Sequence, residues 1–251
     1  MYSKTPQADV AITFRNLHKS FGALAVLRGV TLDVPRGTCT AVMGGSGTGK
    51  SVLIKHVVGL LEPDEGSVWV YGQRVDRLKA AALDKLRLRI GFLFQGGALF
   101  DSMTVEENLD FILSRHSPLD AAERRKRVQE ALEWVSLPEK AANYPASLSG
   151  GQKKRIALAR SIILQPDILL CDEPTTGLDP VSVRMVSNLL LRLRDELGIT
   201  ILSITHDLLC AEITADRACF LHEGRVAAEG TLSSLRASSH PQLRNFFGVQ
   251  A

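Results

Sequence analysis

Short apolar and β-branched runs at residues 10–17, 30–34 and 38–43 lie between turn-forming residues, and the pattern predicts three strands. A fourth is expected at 67–71, after the Pro63-Asp64-Glu65-Gly66 turn. Ser51-Val52-Leu53-Ile54-Lys55-His56-Val57-Val58 has the character of a helix, and Ile90-Gly91-Phe92-Leu93-Phe94 reads as a strand. From about 96 to 165 the chain turns helix-like, and residues 121–135 carry apolar positions on one face of a charged, alanine-rich segment. Ile168-Leu169-Leu170-Cys171 and Ile199-Thr200-Ile201-Leu202-Ser203-Ile204 are continuously apolar, as parallel strands covered on both faces require. Residues 218–228, around Glu223-Gly224-Arg225, predict a closing hairpin. The expected fold is α/β: a mostly parallel sheet with an antiparallel β flank and an inserted helical subdomain. It forms one domain over 1–251, with a core of about 1–95 and 166–251 and a helical part of about 96–165.

Composition changes this picture little. The 251 residues suffice to bury a substantial core, and 30 lysines and arginines nearly balance 27 acids, so a net charge of +3 gives no reason to expect a nucleic-acid partner. Arg124-Arg125-Lys126-Arg127 and Lys153-Lys154-Arg155 fall in helix-like stretches and read as solvated faces. Cys39, Cys171, Cys210 and Cys219 show no C-x-x-C spacing, and Cys39 and Cys171 sit in apolar runs where a thiol behaves as a small hydrophobe. That usage suits a reducing compartment. Residues 1–9 are polar and contain Pro6, unlike a signal peptide, and no apolar run reaches the ~20 residues that span a bilayer. Any service to a membrane is therefore expected from its cytoplasmic side, through a partner.

The chemistry concentrates in two glycine-bearing segments. Gly44-Gly45-Ser46-Gly47-Thr48-Gly49-Lys50-Ser51 fits G-x-x-x-x-G-K-[ST], the phosphate-cradling P-loop, between a predicted strand and a predicted helix. Its glycines admit backbone N–H groups close to an anion, and the helix dipole adds attraction. Lys50 is expected to reach the β- and γ-phosphates of a nucleotide, and the Ser51 hydroxyl to bind Mg²⁺. After the apolar run at 168–171 come Asp172 and Glu173, at a strand end where α/β proteins place ligands. Asp172 is placed to hold Mg²⁺ through water, and Glu173 to orient and deprotonate the water that attacks the γ-phosphate.

With Leu148-Ser149-Gly150-Gly151-Gln152, Gln95, Gly177-Leu178-Asp179 and His206 standing in order around these motifs, the chain resembles the ATP-binding subunits of ABC transporters over essentially its whole length. The five-residue signature alone arises by chance on the order of once in several thousand chains of this size. The resemblance implies an ATPase that uses ATP and Mg²⁺ and works as a dimer of two copies on a membrane permease. Ser149, Gly150, Gly151 and Gln152, opening a helix near Gln152, would serve the nucleotide held by the other copy. Gln95 would contact Mg²⁺ and the attacking water, and His206 would contact the γ-phosphate and hold Glu173. Asp179 would cross the dimer interface towards the other P-loop. Phe21 would stack on adenine, where the family more often has Tyr; a core role is the alternative. Gly45 stands where many relatives have Pro, and Lys153-Lys154 where glutamine or arginine is commoner, from which nothing catalytic is inferred.

Outside the shared motifs, Ser51-Val52, the run Gly96-Gly97-Ala98-Leu99-Phe100-Asp101-Ser102-Met103-Thr104-Val105 and the segment 241–248 with Phe246-Phe247 resemble the ATPases of Mla-type and Mce-associated lipid transporters. This implies phospholipid movement across or between bacterial membranes, a place on the cytoplasmic face of the inner membrane and a periplasmic MCE-type lipid-binding partner. In that family the second run lies where the permease docks; Ala98-Leu99-Phe100 either forms this contact or packs within the helical part. The ATPase of another ABC system, in small-solute import, lipoprotein release or cell division, is the alternative. A soluble P-loop kinase does not account for the signature, and ABC ATPases acting on DNA or ribosomes usually duplicate the cassette or carry long inserted arms.

Overall fold

The computed structural model describes residues 9–248, so the polar segment read above at 1–9 lies almost wholly outside the described residues. The chain begins with β1 (Val10–Phe21), β2 (Leu24–Pro35) and β3 (Cys39–Met43), followed by α1 (Lys50–Val57), β4 (Glu65–Val70) and β5 (Gln73–Arg74). Then come α2 (Ala80–Arg87), β6 (Ile90–Leu93), α3 (Val105–His116), α4 (Ala121–Trp134) and α5 (Gly150–Ile162). The rest alternates: β7 (Ile168–Asp172), α6 (Pro180–Leu197), β8 (Thr200–Ile204), α7 (Leu208–Thr214), β9 (Arg217–His222), β10 (Arg225–Gly230), α8 (Leu232–Arg236) and α9 (Pro241–Phe247).

A six-stranded sheet in the order β10-β9-β3-β8-β7-β6 is parallel except for β10, and a four-stranded antiparallel sheet in the order β2-β1-β4-β5 flanks it. This is the mixed α/β architecture expected. The residues of β3, β7 and β8 are buried throughout, which explains their predominantly apolar character. One cluster, including Phe14, Leu32, Ile54, Val70 and Ile204, fills the space between the two sheets and α1. A second packs Leu109, Leu132 and Leu158 of α3, α4 and α5 with Leu169 and Ile201 on the parallel sheet. The four cysteines are buried and free, and burial pushes the Cys39 and Cys219 thiols up to about 12. No helix among the described residues is long and apolar enough to cross a membrane.

Two differences from the sequence reading bear on the site. The first hairpin is longer than 10–17 and 30–34 suggest: β1 and β2 have 12 residues each and pair out to Phe21↔Leu24. Its outer half is only partly buried and carries register shifts, so the alternation that marks a half-buried strand is lost there. The extension brings Phe21 to the hairpin tip. The other difference is α6, 18 residues long, to which the sequence reading assigns no element.

Candidate functional site

The P-loop emerges from β3 and enters α1, whose N-cap is Gly49 at φ 99 with no side-chain cap. The first-turn N–H groups of α1 are thereby left for a ligand. Gly44, at φ 148, lies against β9, and a Cβ there would come within 2.3 Å of the Leu221 carbonyl oxygen, so only glycine fits. At Gly45 the nearest atom to an added Cβ is 3.8 Å away, so this position has room for a side chain. The Lys50 ammonium donates to the carbonyls of Gly44 (2.9 Å) and Gly45 (2.7 Å), curling the loop around itself. Thr48 donates its hydroxyl to the Gly45 carbonyl at 3.0 Å, bracing the same turn.

The ends of β7 and β8 face this loop. Ser51 donates its hydroxyl to Asp172 Oδ1 at 2.9 Å. Burial pushes the Asp172 carboxyl up, partly offset by that bond, and burial pushes the Lys50 ammonium down against the pull of Glu173 and Asp172. Both groups are desolvated in their charged forms, a cost that a bound anion beside Lys50 and a bound cation beside Asp172 would offset. Two hard oxygen donors, a hydroxyl and a carboxylate, suit Mg²⁺. Among the described residues no cluster of three or more His, Cys, Asp or Glu forms a metal cage, so such an ion would take its other ligands from phosphate and water.

Glu173 occupies the left-handed region at φ 53, a conformation that costs a non-glycine residue about 1–2 kcal/mol. It is held there by its own N–H, which donates to the Ile204 carbonyl at 2.9 Å. Its Oε2 accepts from the Thr176 hydroxyl at 3.2 Å and lies 2.8 Å from His206 Nδ1. An ionised carboxylate only accepts, so Nδ1 carries the proton in this pair. Oε1 makes no hydrogen bond among the described residues, leaving one carboxylate oxygen for a water. His206 follows β8 in a tight turn, with the Asp207 N–H on Thr205 Oγ1 (2.9 Å) and Asp207 Oδ2 accepting from Thr175 Oγ1 (2.7 Å).

A cavity of about 700 Å³ is walled by residues 44–47 and 49–52 together with Phe21, Val26, Gln95, Glu173, His206 and Phe246. Phe21 is 47% exposed at the hairpin tip, with the Lys19 ammonium 5.8 Å from its ring. Asp172 joins the site through Ser51 rather than as a wall residue. Phe246 comes from α9, on the far end of the chain, and packs edge-on to Phe220 at 5.2 Å. Thr175 and Thr176 carry no motif that marks them, and Phe246 is marked in the sequence only as part of the 241–248 segment, not as a wall of this cavity.

The signature segment stands apart. Ser149, Gly150, Gly151, Gln152 and Asp179 are not in the wall of this cavity; Ser149, Gly151 and Gln152 line a separate one of about 60 Å³. The helix opens at Gly150, earlier than the start near Gln152 read above, because Ser149 caps it: Gln152 N–H donates to Ser149 Oγ (3.3 Å) and Ser149 N–H to Gln152 Oε1 (2.9 Å). This reciprocal box satisfies the ends of both residues locally. The Ser149 hydroxyl, acting as acceptor, keeps its own proton for another partner. Asp179 is exposed and caps α6, with Oδ1 accepting from Val181 and Ser182 N–H (3.0 Å each) and Oδ2 from the Ser182 hydroxyl (2.6 Å). That hydroxyl bond, first among the causes, holds the Asp179 carboxyl below its ordinary value.

Lys154 departs most from the sequence reading. It is not on a solvated face but 7% exposed, and its ammonium donates to the Gln95 carbonyl and, at 3.1 Å, to the Glu173 carbonyl. The run 98–100 divides. Leu99 packs on the helical cluster, while Ala98 and Phe100 line an apolar groove of about 430 Å³ with Phe92, Phe94, Ile112 and Leu164. Arg160 holds the groove's rim, donating to the Ala98 (2.7 Å) and Gly97 (3.1 Å) carbonyls.

Comparison with known proteins agrees with the geometry. A profile described as "ABC transporter" matches residues 27–176. The chain is 39% identical over 237 residues to "Probable ribonucleotide transport ATP-binding protein mkl" of Mycobacterium leprae, covering 94% of this chain and 68% of that protein. It is also 39% identical over 241 residues to "Methionine import ATP-binding protein MetN" of Rhizobium johnstonii, covering 96% and 66%. It thus spans about two thirds of the length of these relatives. Among solved structures, the dimeric ATP-binding cassette MJ0796, in a post-hydrolysis state bound to ADP and Pi, superposes with a TM-score of 0.81 at 33% identity, covering 88% of this chain and 98% of that one. CbiO1 from Clostridium perfringens, part of the transporter complex cbiONQ, gives 0.84 at 31% identity, covering 96% and 100%.

Proposed function

The chain belongs to the ABC transporter family, as an ATP-binding and ATP-hydrolysing cassette, and from that premise we propose that two copies power a membrane permease that moves phospholipid. The observation that carries the dimeric part is the split site: one chain holds a joined set of P-loop, Ser51–Asp172 and Glu173–His206 pairs, while its signature faces elsewhere. A C2 pair would bring the signature of each copy to the P-loop of the other.

In this reading Lys50 and the N–H groups at the start of α1 bind the phosphates, and Phe21 stacks on the base. Ser51 and Asp172, with Gln95, would hold Mg²⁺, whose charge offsets that of the β- and γ-phosphate oxygens. Glu173 takes the proton of the attacking water through Oε1 while His206 Nδ1–H fixes Oε2. Ser149 and the N–H groups of Gly150 and Gly151 bind the γ-phosphate of the other copy's nucleotide, and Asp179 meets that copy's P-loop. Residues 96–165 act as the helical subdomain that carries the signature.

The groove at Phe94, Ala98 and Phe100 supports a permease contact, since an apolar concavity suits an apolar helix face. The phospholipid cargo and a periplasmic MCE-type partner are supported by the 96–105 and 241–248 segments. The chain would then sit on the cytoplasmic face of the inner membrane. The name of one curated relative, a methionine import protein, favours a second reading, small-solute import, in which the same engine drives a different permease. Affinity purification of the tagged chain from membranes separates the two: co-isolation of a permease, a periplasmic lipid-binding protein and bound phospholipid is expected. A permease with a solute-binding protein and no lipid overturns the phospholipid reading.

A further inference from the structure

Lys154 is a buried ammonium with a specific pair of partners. It lies five residues beyond Ser149 on α5, about 7.5 Å along a rigid rod at 1.5 Å per residue. Both of its bonds go to backbone carbonyls, those of Gln95, just past β6, and Glu173, just past β7. These strands are neighbours in the parallel ladder, paired to Leu93↔Cys171, so one side chain ties two adjacent strand ends to the signature helix. The Glu173 carbonyl belongs to the residue in left-handed backbone; it accepts a long bond from Thr176 N–H (3.4 Å) and the shorter one from the Lys154 ammonium (3.1 Å). Space-filling alone does not call for such a group: burying an ammonium has a desolvation cost that an uncharged side chain would avoid.

We propose that Lys154 is a positioning residue that couples the signature segment to the hydrolytic pair of the same chain. By holding the Gln95 and Glu173 carbonyls against α5, it makes any shift of Ser149 and Gly150 on the other copy's nucleotide a shift of the Glu173 carboxylate and of Gln95. The three parts of the site then move as one body. The inference rests on Glu173 being the base, and its test keeps the two apart.

The test compares the full-length chain carrying Lys154→Met, Lys154→Arg or Lys154→Gln, alone and with Glu173→Gln, in Mg-ATP hydrolysis, fluorescent ATP-analogue binding and thermal unfolding. Lys154→Met, similar in length but without a donor, is expected to lower kcat about tenfold or more, since small misplacements of catalytic groups cost this much. Its affinity for the analogue should stay within about twofold, because the P-loop is untouched. Lys154→Arg, which keeps charge and donors, should recover most of the rate, and Lys154→Gln, a neutral donor that also covers a Lys154→Met chain that fails to fold, should fall between. In the Glu173→Gln background, Lys154→Met should slow the residual single-turnover rate no further. An unchanged kcat in Lys154→Met overturns the proposal, as does a parallel loss of kcat, affinity and melting temperature that Lys154→Arg does not restore. If Glu173→Gln alone keeps the unmodified rate, the assignment of the base fails instead.

Discussion

Two helix N-termini in this molecule use the same physics and reach different states. At α1 the N-cap is a glycine without a capping side chain, set in the wall of a 700 Å³ cavity and ringed by Lys50, Ser51, Glu173 and His206. At α5 the N-cap is Ser149, closed by a reciprocal box with Gln152 and facing outward, with no lysine, histidine or carboxylate lining the small cavity beside it. In the proposed function the first is a phosphate site whose chemistry is assembled within one chain. The second offers a hydroxyl proton and helix N–H groups without the rest of a site, and what it lacks is what α1 has. A helix dipole marks where an anion binds; the surrounding side chains decide whether anything is done to it.

The largest effect that sharpens this contrast is at Glu173. Glu173→Gln keeps the shape of the α1 cavity and removes the proposed base, so kcat should fall about a hundred- to ten-thousand-fold while ATP binding persists and the closed dimer accumulates. Steady-state hydrolysis with size-exclusion chromatography in ATP reads both. Next is Phe21, which belongs to the α1 site through the hairpin tip. Phe21→Ala should weaken ATP binding about tenfold, the loss of one base–aromatic stack, while Phe21→Tyr should not. Titration calorimetry with ATP checks it, and equal affinities for Phe21→Ala and the unmodified chain would remove Phe21 from the site. The smallest concerns the α5 end. An added Cβ at Gly151 would lie 2.9 Å from Ser182 Oγ, whereas at Gly150 the nearest atom is Leu178 Cδ2 at 3.7 Å. Gly151→Ala should therefore be less stable than Gly150→Ala by about 1 kcal/mol, read as the difference in denaturant midpoint.

The legibility of the two ends follows the same division. The P-loop, Asp172-Glu173 and the signature are readable because a backbone wrapped around phosphate dictates glycines at fixed spacing, and the parallel strands because double burial makes them predominantly apolar. Lys154 is not readable, since two lysines in a helical stretch look like any solvated face, and only the packing of α5 beneath β6 and β7 buries one of them. Phe246 reaches the cavity because α9 folds back on Phe220, a contact between elements distant in sequence that no local pattern encodes. The helix α6 does leave a trace: Val183, Val186, Leu190 and Leu193 follow a helical spacing on its buried side. Asp179, read through the resemblance as an interface acid, is also the N-cap that starts it.

Whether the α1 and α5 ends belong to different copies of one nucleotide site is decided by mixed dimers of Lys50→Met and Ser149→Arg chains, each expected to be inactive alone. In the mixed pair one P-loop and one signature remain unmodified, and a shared site brings the two together. An equal mixture should then recover up to about a quarter of the unmodified hydrolysis rate, since about half of the dimers are mixed and each holds one intact site of two. A mixture no more active than either variant alone, with mixed dimers verified by dual-tag purification, would contradict the account.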